Sequence, residues 1–356
     1  MIEKEMYALN PQETELITSL ERNYPISGDE EFLKELKAYL LGNFYPNKTY
    51  IQKLRLGSAS KTPSDPPEFD RAFLEINNSC NRDCNFCGYY GIKRSLGCLG
   101  CNKWNETDAP LALDRWKELI DELRNLDCKD IFITGGDLTL AWDKAMEILD
   151  YAGGKFNDIY VILHEQSLSE RIITDLRNEF KIIVQTENIH SRPLEGSTLL
   201  LVANPDDLGN VSDVNNKNVI LDFAIEDLNS LPDGLPIASK QKLNPPNMHQ
   251  FLHNIKHHPC LGNMLTICHD GNVIPCPMMR RYSFGNVRDK ALYTIFEKRM
   301  DDINKFWDLT LDDIESCTEC EFRYACGDCR ALEESLTGRL NGKIMCSYNP
   351  KEGVWL

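Results

Sequence analysis

The chain has 356 residues, enough for two or three domains at roughly 100–200 residues each, and 42% of its residues are apolar. Its 39 lysine and arginine residues face 55 aspartate and glutamate residues, and the net charge of −16 argues against a general binder of nucleic acid or of anionic membranes. No apolar run reaches the ~18 residues of a membrane span, and the first residues lack the apolar core of a secretory signal. We therefore expect a cytoplasmic protein with no nucleic-acid partner and no membrane partner.

Residues 1–70 are predicted to form a small helical region that ends in a linker. Apolar residues recur at helical spacing in 11–21 and in 29–41, and Gly42 follows as a stop signal for the second helix. The serine- and proline-rich stretch 57–68 has the composition of a linker.

Residues 71–250 alternate between short β-rich runs and helical stretches. The predicted strands are 72–76, 130–134, 158–163, 181–186, 198–203 and 218–223. The clearest predicted helices between them are 112–126, 141–151 and 167–179. Alternating strands and crossover helices are typical of a parallel sheet. Six strands predict an α/β fold with a partial (β/α)6 barrel rather than the complete eight-stranded barrel.

Cysteine is the compositional outlier, with 14 residues in two groups that leave 129–259 without any. In the absence of a secretory signal, this content favours metal or cluster ligation over a disulfide framework. The second group lies in residues 251–356, where glycines and hairpin signals replace the earlier alternation. Asp270-Gly271 is predicted to form a two-residue hairpin turn there. This part is predicted to be a second domain, organised by metal.

The first group opens with Cys80, Cys84 and Cys87, a C-x3-C-x2-C motif directly after the first predicted strand. A βα barrel places its active site on loops of this kind. Three thiolates on one loop can hold a [4Fe–4S] cluster and leave its fourth iron open to a small molecule, whereas a structural zinc site normally closes with four ligands. The motif therefore predicts a catalytic iron–sulfur cluster.

This motif and its position resemble those of the radical S-adenosylmethionine (SAM) enzymes. The resemblance implies that the open iron chelates SAM, and that an electron from the cluster cleaves SAM to a 5′-deoxyadenosyl radical that abstracts hydrogen from the substrate. It also implies cofactor contacts from the motif's aromatic residue, from a glycine-rich segment after the second strand and from later strand ends. These are Phe86, Gly135, Gly136, Asp137 in place of the usual glutamate, Gln185 or Thr186, and Asn204. For Gln185, a polar strand end that faces solvent is the alternative.

Seven later cysteines, together with Gly271, resemble the SPASM domain that is appended to many radical SAM enzymes acting on peptides and proteins. One late spacing is two residues where the family has three. By that resemblance a first auxiliary [4Fe–4S] cluster belongs to Cys260, Cys276 and Cys329, with either Cys268 as fourth ligand or an open iron. A second belongs to Cys317, Cys320, Cys326 and Cys346. The resemblance thus implies three [4Fe–4S] clusters in all, and a zinc knuckle at 317–329 is the alternative.

Three cysteines and several acid–base groups remain. Cys128, between a helix and a strand, is predicted to be a small core residue. Cys98 and Cys101 lie in a glycine-rich extension and are open to several interpretations: a redox thiol pair, ligands to another metal, a hydrogen donor to a substrate radical, or loop packing.

A general base would lie at the carboxyl ends of the strands, and a structural role is the alternative for each candidate. The candidates there are Glu165, Asp222, His164 and Glu187.

The function that the resemblance implies is that of a peptide- or protein-modifying maturase. Such enzymes form thioether bonds, carbon–carbon crosslinks or epimers in ribosomal peptides, or oxidise a residue of a partner protein. Residues 1–70 would then help to recognise a leader peptide, and a ferredoxin or flavodoxin would supply the electron. Two alternatives stay open: a radical SAM enzyme that acts on a small molecule or cofactor precursor, and a non-catalytic iron–sulfur electron carrier.

Overall fold

The computed structural model describes residues 10–21, 31–34, 69–106, 108–176, 179–204, 216–225, 246, 248–344 and 346–355. Helix α1 (Pro11–Glu21) confirms the first predicted helix. The second predicted helix is described only at 31–34, which are helical, and the predicted stop and linker lie outside the described residues. No helix in the described part of the chain is both long and apolar enough to cross a bilayer.

Ten strands of the described chain form one sheet. In chain order they are β1 (Arg71–Asn77), β2 (Lys93–Arg94), β3 (Asp130–Gly135), β4 (Asp158–His164), β5 (Lys181–Thr186), β6 (Ser197–Ala203), β7 (Val219–Ile225), β8 (Met264–Ile267), β9 (Asn272–Ile274) and β10 (Gly285–Asn286). Their spatial order is β10-β9-β8-β1-β3-β4-β5-β6-β7-β2. The run from β1 through β3 to β7 is parallel throughout and contains all six predicted strands. The predicted α/β partial barrel is therefore confirmed.

Crossover helices connect the parallel strands, as predicted. They are α2 (Leu113–Asn125), α3 (Trp142–Ala152) and α4 (Glu170–Leu176). In α2, four side chains recur at helical spacing and are fully buried in the main core: Trp116, Leu119, Ile120 and Leu123. Burial of one such side chain contributes about 1.5–3 kcal/mol, so this apolar face stabilises the helix against the sheet.

The C-terminal residues extend the same sheet, because β8 pairs in parallel with β1. β8 and β9 form the predicted hairpin. Its turn has the three residues 269–271, and not the two predicted, because the Cys268 N–H pairs with the Asn272 carbonyl across it. The later elements are α5 (Met248–Lys256), α6 (Leu292–Trp307), α7 (Arg330–Thr337), β11 (Tyr348–Asn349) and β12 (Val354–Trp355).

At the opposite edge of the sheet, β2 pairs antiparallel with β7. β2 belongs to residues 88–104, which we call the extension. The Arg94 Nε and Nη2 atoms lie 2.8 and 2.6 Å from Asp222 Oδ2, and both side chains are fully buried. Asp222 Oδ1 accepts the Ser95 hydroxyl at 2.9 Å and the Leu96 N–H at 2.7 Å. Both Asp222 oxygens are engaged and inaccessible, so the predicted general-base role of Asp222 is corrected to a structural one.

Replacing Asp222 with asparagine should destabilise the chain, because the Arg94 guanidinium would stay buried without its counter-charge. Removing one partner of a buried ion pair costs about 3–5 kcal/mol. We expect a loss of that size in the free energy of unfolding, measured by anaerobic urea denaturation of the wild-type and Asp222→Asn chains. The matched control is Asp143→Asn, whose carboxylate is 95% exposed beside Arg171 and should leave the midpoint unchanged. Equal midpoints for the two variants would contradict the anchoring role.

Candidate active site

Three thiols of the loop after β1 line one pocket. Its empty volume is about 330 Å³, and its lining residues are Cys80, Arg82, Cys84, Cys87, Cys101, Lys103, Gly136, Asp137 and His164. Backbone N–H groups of Arg82 and Lys103 donate to the sulfurs of Cys80 and Cys87, each at 3.4 Å. Such hydrogen bonds to sulfur are among the contacts that tune iron–sulfur clusters. The structure therefore brings together the three thiols that were predicted as ligands.

The donor set of this pocket fits an iron–sulfur cluster. Burial, the nearby Glu187 carboxylate and the two neighbouring thiols raise the pKa of Cys84 to about 11, so a bound metal must stabilise its thiolate. Within the described ranges, no three histidine, cysteine, aspartate or glutamate side chains converge closely enough to ligate a single metal ion. Three cysteine thiols are the kind of donor that iron–sulfur clusters take from proteins.

The glycine pair at the end of β3 lies against the start of the cluster loop. The Gly136 N–H donates to the Asn77 carbonyl at 2.9 Å, and the Asp137 N–H donates to the Ser79 carbonyl at 2.8 Å. A Cβ on Gly135 would lie 2.0 Å from the Asn77 oxygen, and one on Gly136 would lie 2.3 Å from the Ser79 oxygen. Gly135 also has a φ of 134°, which L side chains rarely adopt. Only glycine therefore lets the two segments run side by side.

The Asp137 side chain lies in the pocket wall beside the cluster loop. One carboxylate oxygen accepts the N–H and the hydroxyl of Thr139, at 3.1 and 2.7 Å. The other lies 3.5 Å from the Arg82 guanidinium, which also donates to Gln166 and Ser167 at 2.8 Å each. Arg82 thus ties the cluster loop to the ends of two strands. The contact of Asp137 with the SAM amino group stays a prediction, and its place beside the three thiols agrees with it.

The other predicted cofactor contacts do not line this pocket. The Phe86 ring is buried, with its centroid 5.4 Å from the Arg94 guanidinium. Gln185 Oε1 accepts hydrogen bonds from Arg94 and from the Cys101 N–H, at 3.1 Å each. Gln185 is 1% exposed, so the alternative of a solvent-facing strand end is wrong. Asn204 follows β6 and is exposed. The cofactor roles of these residues stay predictions.

Of the four predicted acid–base candidates, His164 lines the pocket and Glu165 does not. Glu165 accepts hydroxyl hydrogen bonds from Thr186 at 2.6 Å and from Ser191 at 2.7 Å, so Glu165 and Thr186 engage each other outside the pocket lining. His164 Nδ1 accepts a backbone N–H at 3.2 Å, so the ring proton lies on Nε2, which is 3.1 Å from Glu187. Burial lowers the pKa of His164 despite that carboxylate, and the ring is neutral at pH 7. The sequence signal for His164 was its place at the carboxyl end of a predicted strand.

Four C-terminal thiols line a second pocket, with an empty volume of about 500 Å³. They are the set predicted for the second auxiliary cluster: Cys317, Cys320, Cys326 and Cys346. Lys343 also lines this pocket, and its Nζ lies 4.0 Å from the Cys326 sulfur and 2.6 Å from Asp328. Burial raises the pKa of Cys326 to about 12, so metal binding is required for its thiolate to form near neutral pH.

The thiols of Cys260, Cys276 and Cys329 are buried near one another, and Cys98 joins them. The interaction of the Cys98 thiol with the Cys260 thiol lowers the pKa of Cys260 to about 6. Cys101, three residues after Cys98, lines the first pocket instead. The two cysteines of the extension therefore serve different thiol groups. Sequence reasoning did not find the place of Cys98, although its glycine-rich surroundings marked a close approach of backbones.

Cys268, predicted as the fourth ligand of that group, lies elsewhere. It is buried at the end of β8, where the charged groups around it include Glu75, Arg280 and Glu106. The Arg280 guanidinium donates to Glu75 at 2.8 Å and to Glu106 at 2.7 Å. The backbone of Cys268 is paired across the hairpin, which holds its thiol among these charges. The structure therefore contradicts the assignment of Cys268 as a cluster ligand.

Alanine at position 136 should displace the cluster loop, because its Cβ would lie 2.3 Å from the Ser79 carbonyl oxygen. Three clusters hold about twelve irons, and we expect Gly136→Ala to retain about eight, since the other two thiol sets are untouched. Iron and sulfide per chain are measured after anaerobic reconstitution. The control is Gly154→Ala, at a left-handed glycine (φ 70°) with no atom within 4 Å of an added Cβ. Identical iron contents in both variants would show that the glycine contact does not position the loop.

The lowered pKa of His164 predicts a pH dependence of stability. The unfolded chain binds a proton at this side chain below about pH 6.5, and the folded chain binds it only at lower pH, so protonation favours unfolding. The stability that His164 contributes is therefore complete above that pH and is lost as the pH falls. We expect the difference in unfolding free energy between wild type and His164→Gln to shrink between about pH 7.5 and about pH 5. A difference that stays constant over this pH range would refute this.

Two family models match the chain. The model of the radical SAM superfamily matches residues 74–185, which include the cluster loop, the glycine pair and the strands up to Gln185. The model of the SPASM iron–sulfur cluster-binding domain matches residues 259–321. Among curated proteins, none matches the chain.

Solved structures of SuiB from Streptococcus suis resemble this chain. SuiB superposes with a TM-score of 0.52 at 12% identity, over 95% of this chain and 88% of SuiB. SuiB bound to S-adenosylmethionine gives 0.46 at 12% identity, over 94% and 89%, and SuiB bound to the precursor peptide SuiA gives 0.48 at 12% identity, over 94% and 90%. The first likeness shows a shared fold. The two family matches show that the chain contains a radical SAM domain in residues 74–185 and a SPASM domain in residues 259–321.

Proposed function

We propose that this chain is a radical SAM maturase that modifies a peptide or protein substrate. The observation that carries the proposal is a single pocket that gathers Cys80, Cys84 and Cys87 with Asp137 and His164. When bound there, a [4Fe–4S] cluster supplies the electron that cleaves SAM to a 5′-deoxyadenosyl radical, which abstracts hydrogen from the substrate. Two further sets of buried thiols supply the ligands of two auxiliary clusters.

The residues of the pocket hold and orient what binds there. The three thiolates hold the cluster, and Arg82 fixes their loop through its contacts with Ser167 and Asp137. Neutral His164, with its Nε2 proton directed at the half-exposed Glu187, is the group that we assign to any proton transfer at the pocket. It is one of the four candidates that the sequence offered for that role, whereas Glu165 and Asp222 do not line the pocket.

The peptide class of the substrate rests on the SPASM domain and on the surface beside the pocket. Two tyrosines follow the third cluster cysteine after a single glycine, and both are exposed: Tyr89 and Tyr90, at 39% and 50%. Their rings pack edge to face at 5.1 Å, and the Lys103 Nζ lies 4.4 Å from the Tyr89 ring centroid. Exposed tyrosines are enriched in surfaces that bind polypeptides. We also propose that a ferredoxin or flavodoxin supplies the electron. Residues 1–70 are the region that we propose for recognition of a leader peptide.

Formation of 5′-deoxyadenosine tests the proposal. The reconstituted chain should form it from SAM and dithionite, and Cys84→Ala should lower the yield at least about 100-fold, because the cluster would lose one of three ligands. The matched control is Cys128→Ala, which removes a thiol of the main core and should leave the yield unchanged. Full iron content without any 5′-deoxyadenosine would leave a non-catalytic electron carrier.

The substrate class is tested by isotope transfer. Candidate peptides deuterated at the side chains or at the α-carbons should pass deuterium into 5′-deoxyadenosine, detected by mass spectrometry. Transfer from a small molecule alone would retain the radical SAM chemistry and refute the peptide class.

A further inference from the structure

We propose that Cys98 is the fourth protein ligand of the first auxiliary cluster, beside Cys260, Cys276 and Cys329. This deepens the proposed function and rests on it in one respect, namely that the group bound by these thiols is an iron–sulfur cluster. The radical SAM domain would then supply one ligand to a cluster of the SPASM domain.

The thiol of Cys98 lies among the thiols of the first auxiliary set. It interacts with the Cys260 thiol, and the charges of Cys276 and Cys329 also act on it. A [4Fe–4S] cubane has four irons and closes with four thiolates. The SPASM domain contributes three thiols to this group, and Cys98 makes the fourth.

All 14 cysteines lie within the described residues, and those outside this group of four have other environments. Cys268 is surrounded by charged side chains, and Cys128 is packed in the main core. The other cysteines line one of the two pockets: Cys80, Cys84, Cys87 and Cys101 the first, and Cys317, Cys320, Cys326 and Cys346 the second. No further thiol is therefore left to complete the first auxiliary set.

The glycines on either side of Cys98 hold its backbone in place. A Cβ on Gly97 would lie 2.8 Å from the Met278 sulfur, so the extension packs directly against the segment after Cys276. A Cβ on Gly100 would lie 2.5 Å from Gln185 Oε1, and the Thr134 hydroxyl donates to the Gly100 carbonyl at 2.9 Å. The ends of β3 and β5 thus fix one side of the thiol, and the SPASM residues fix the other.

Full ligation has a consequence for the reaction. An auxiliary cluster with four protein ligands has no open iron, so a substrate thiol could bind to it only by displacing Cys98. The role left to this cluster is electron transfer or stabilisation of the domain contact.

The test compares Cys98→Ala with the matched variant Cys268→Ala in the full reconstituted chain. SAM is added first to occupy the open iron of the barrel cluster, and 13C-labelled cyanide is then added as a probe of any other open iron. We expect Cys98→Ala either to lose about four irons or to show a cyanide-coupled signal in ENDOR spectra of the reduced clusters. Cys268→Ala should match the wild type in both measurements. A wild-type result for Cys98→Ala, or a changed result for Cys268→Ala alone, would overturn the assignment.

A measurement on the wild type covers the case in which Cys98→Ala fails to fold. Cys98 should be protected from iodoacetamide in the loaded chain and become alkylated after chelation, in parallel with Cys260 and Cys276. Equal alkylation of Cys98 before and after chelation would also overturn the assignment. A wild-type chain that takes up zinc, or no iron, would refute the proposed function itself, whereas iron clusters with unprotected Cys98 would refute only this ligand.

Discussion

The buried ion pair between Arg94 and Asp222 is the constraint on which the site depends. Both side chains are withdrawn from water, so each requires the other, and the pair fixes the extension against β7. From that anchor the chain continues to Cys98, beside the auxiliary thiols, and to Cys101, beside the cluster loop. An interaction that lies outside both thiol groups thus fixes the positions of Cys98 and Cys101 between them.

A second buried network secures the other end of the extension. Arg280 bonds to Glu75 of β1 and to Glu106, and the Trp104 indole N–H also donates to Glu75 at 3.1 Å. Burial raises the pKa of Glu75, although its contacts with Arg280 favour the carboxylate. Three parts of the chain therefore share one set of charges: the barrel, the extension and the segment between β9 and β10 that carries Arg280. The same network surrounds Cys268, which explains why that thiol is unavailable to a cluster.

The parts of this structure that sequence predicts are those with a local signal. Six strands and their helices follow from the period of apolar residues, and the cluster loop follows from three cysteines within eight residues. The partners Arg94 and Asp222 are 128 positions apart, and no spacing rule connects them. The assignment of Cys268 failed for the same reason, because spacing favours a cysteine of the same domain over one that the fold brings from the barrel. Gly97 and Gly100 were the only local sequence signal that this segment packs closely against other parts of the chain.

A ligand from the barrel would make the auxiliary cluster a covalent connection between distant parts of the chain. In the chain-entropy description, closing a loop of more than about 100 residues removes about 5 kcal/mol of conformational freedom from the unfolded state. Cluster binding would then stabilise the extension as well as the SPASM domain, because metal affinity is coupled to folding. The pocket at Cys80, Cys84 and Cys87 is lined in part by the same extension, through Cys101 and Lys103. Loading of the auxiliary cluster would therefore help to order the wall of the catalytic pocket, even if no electron passed between them.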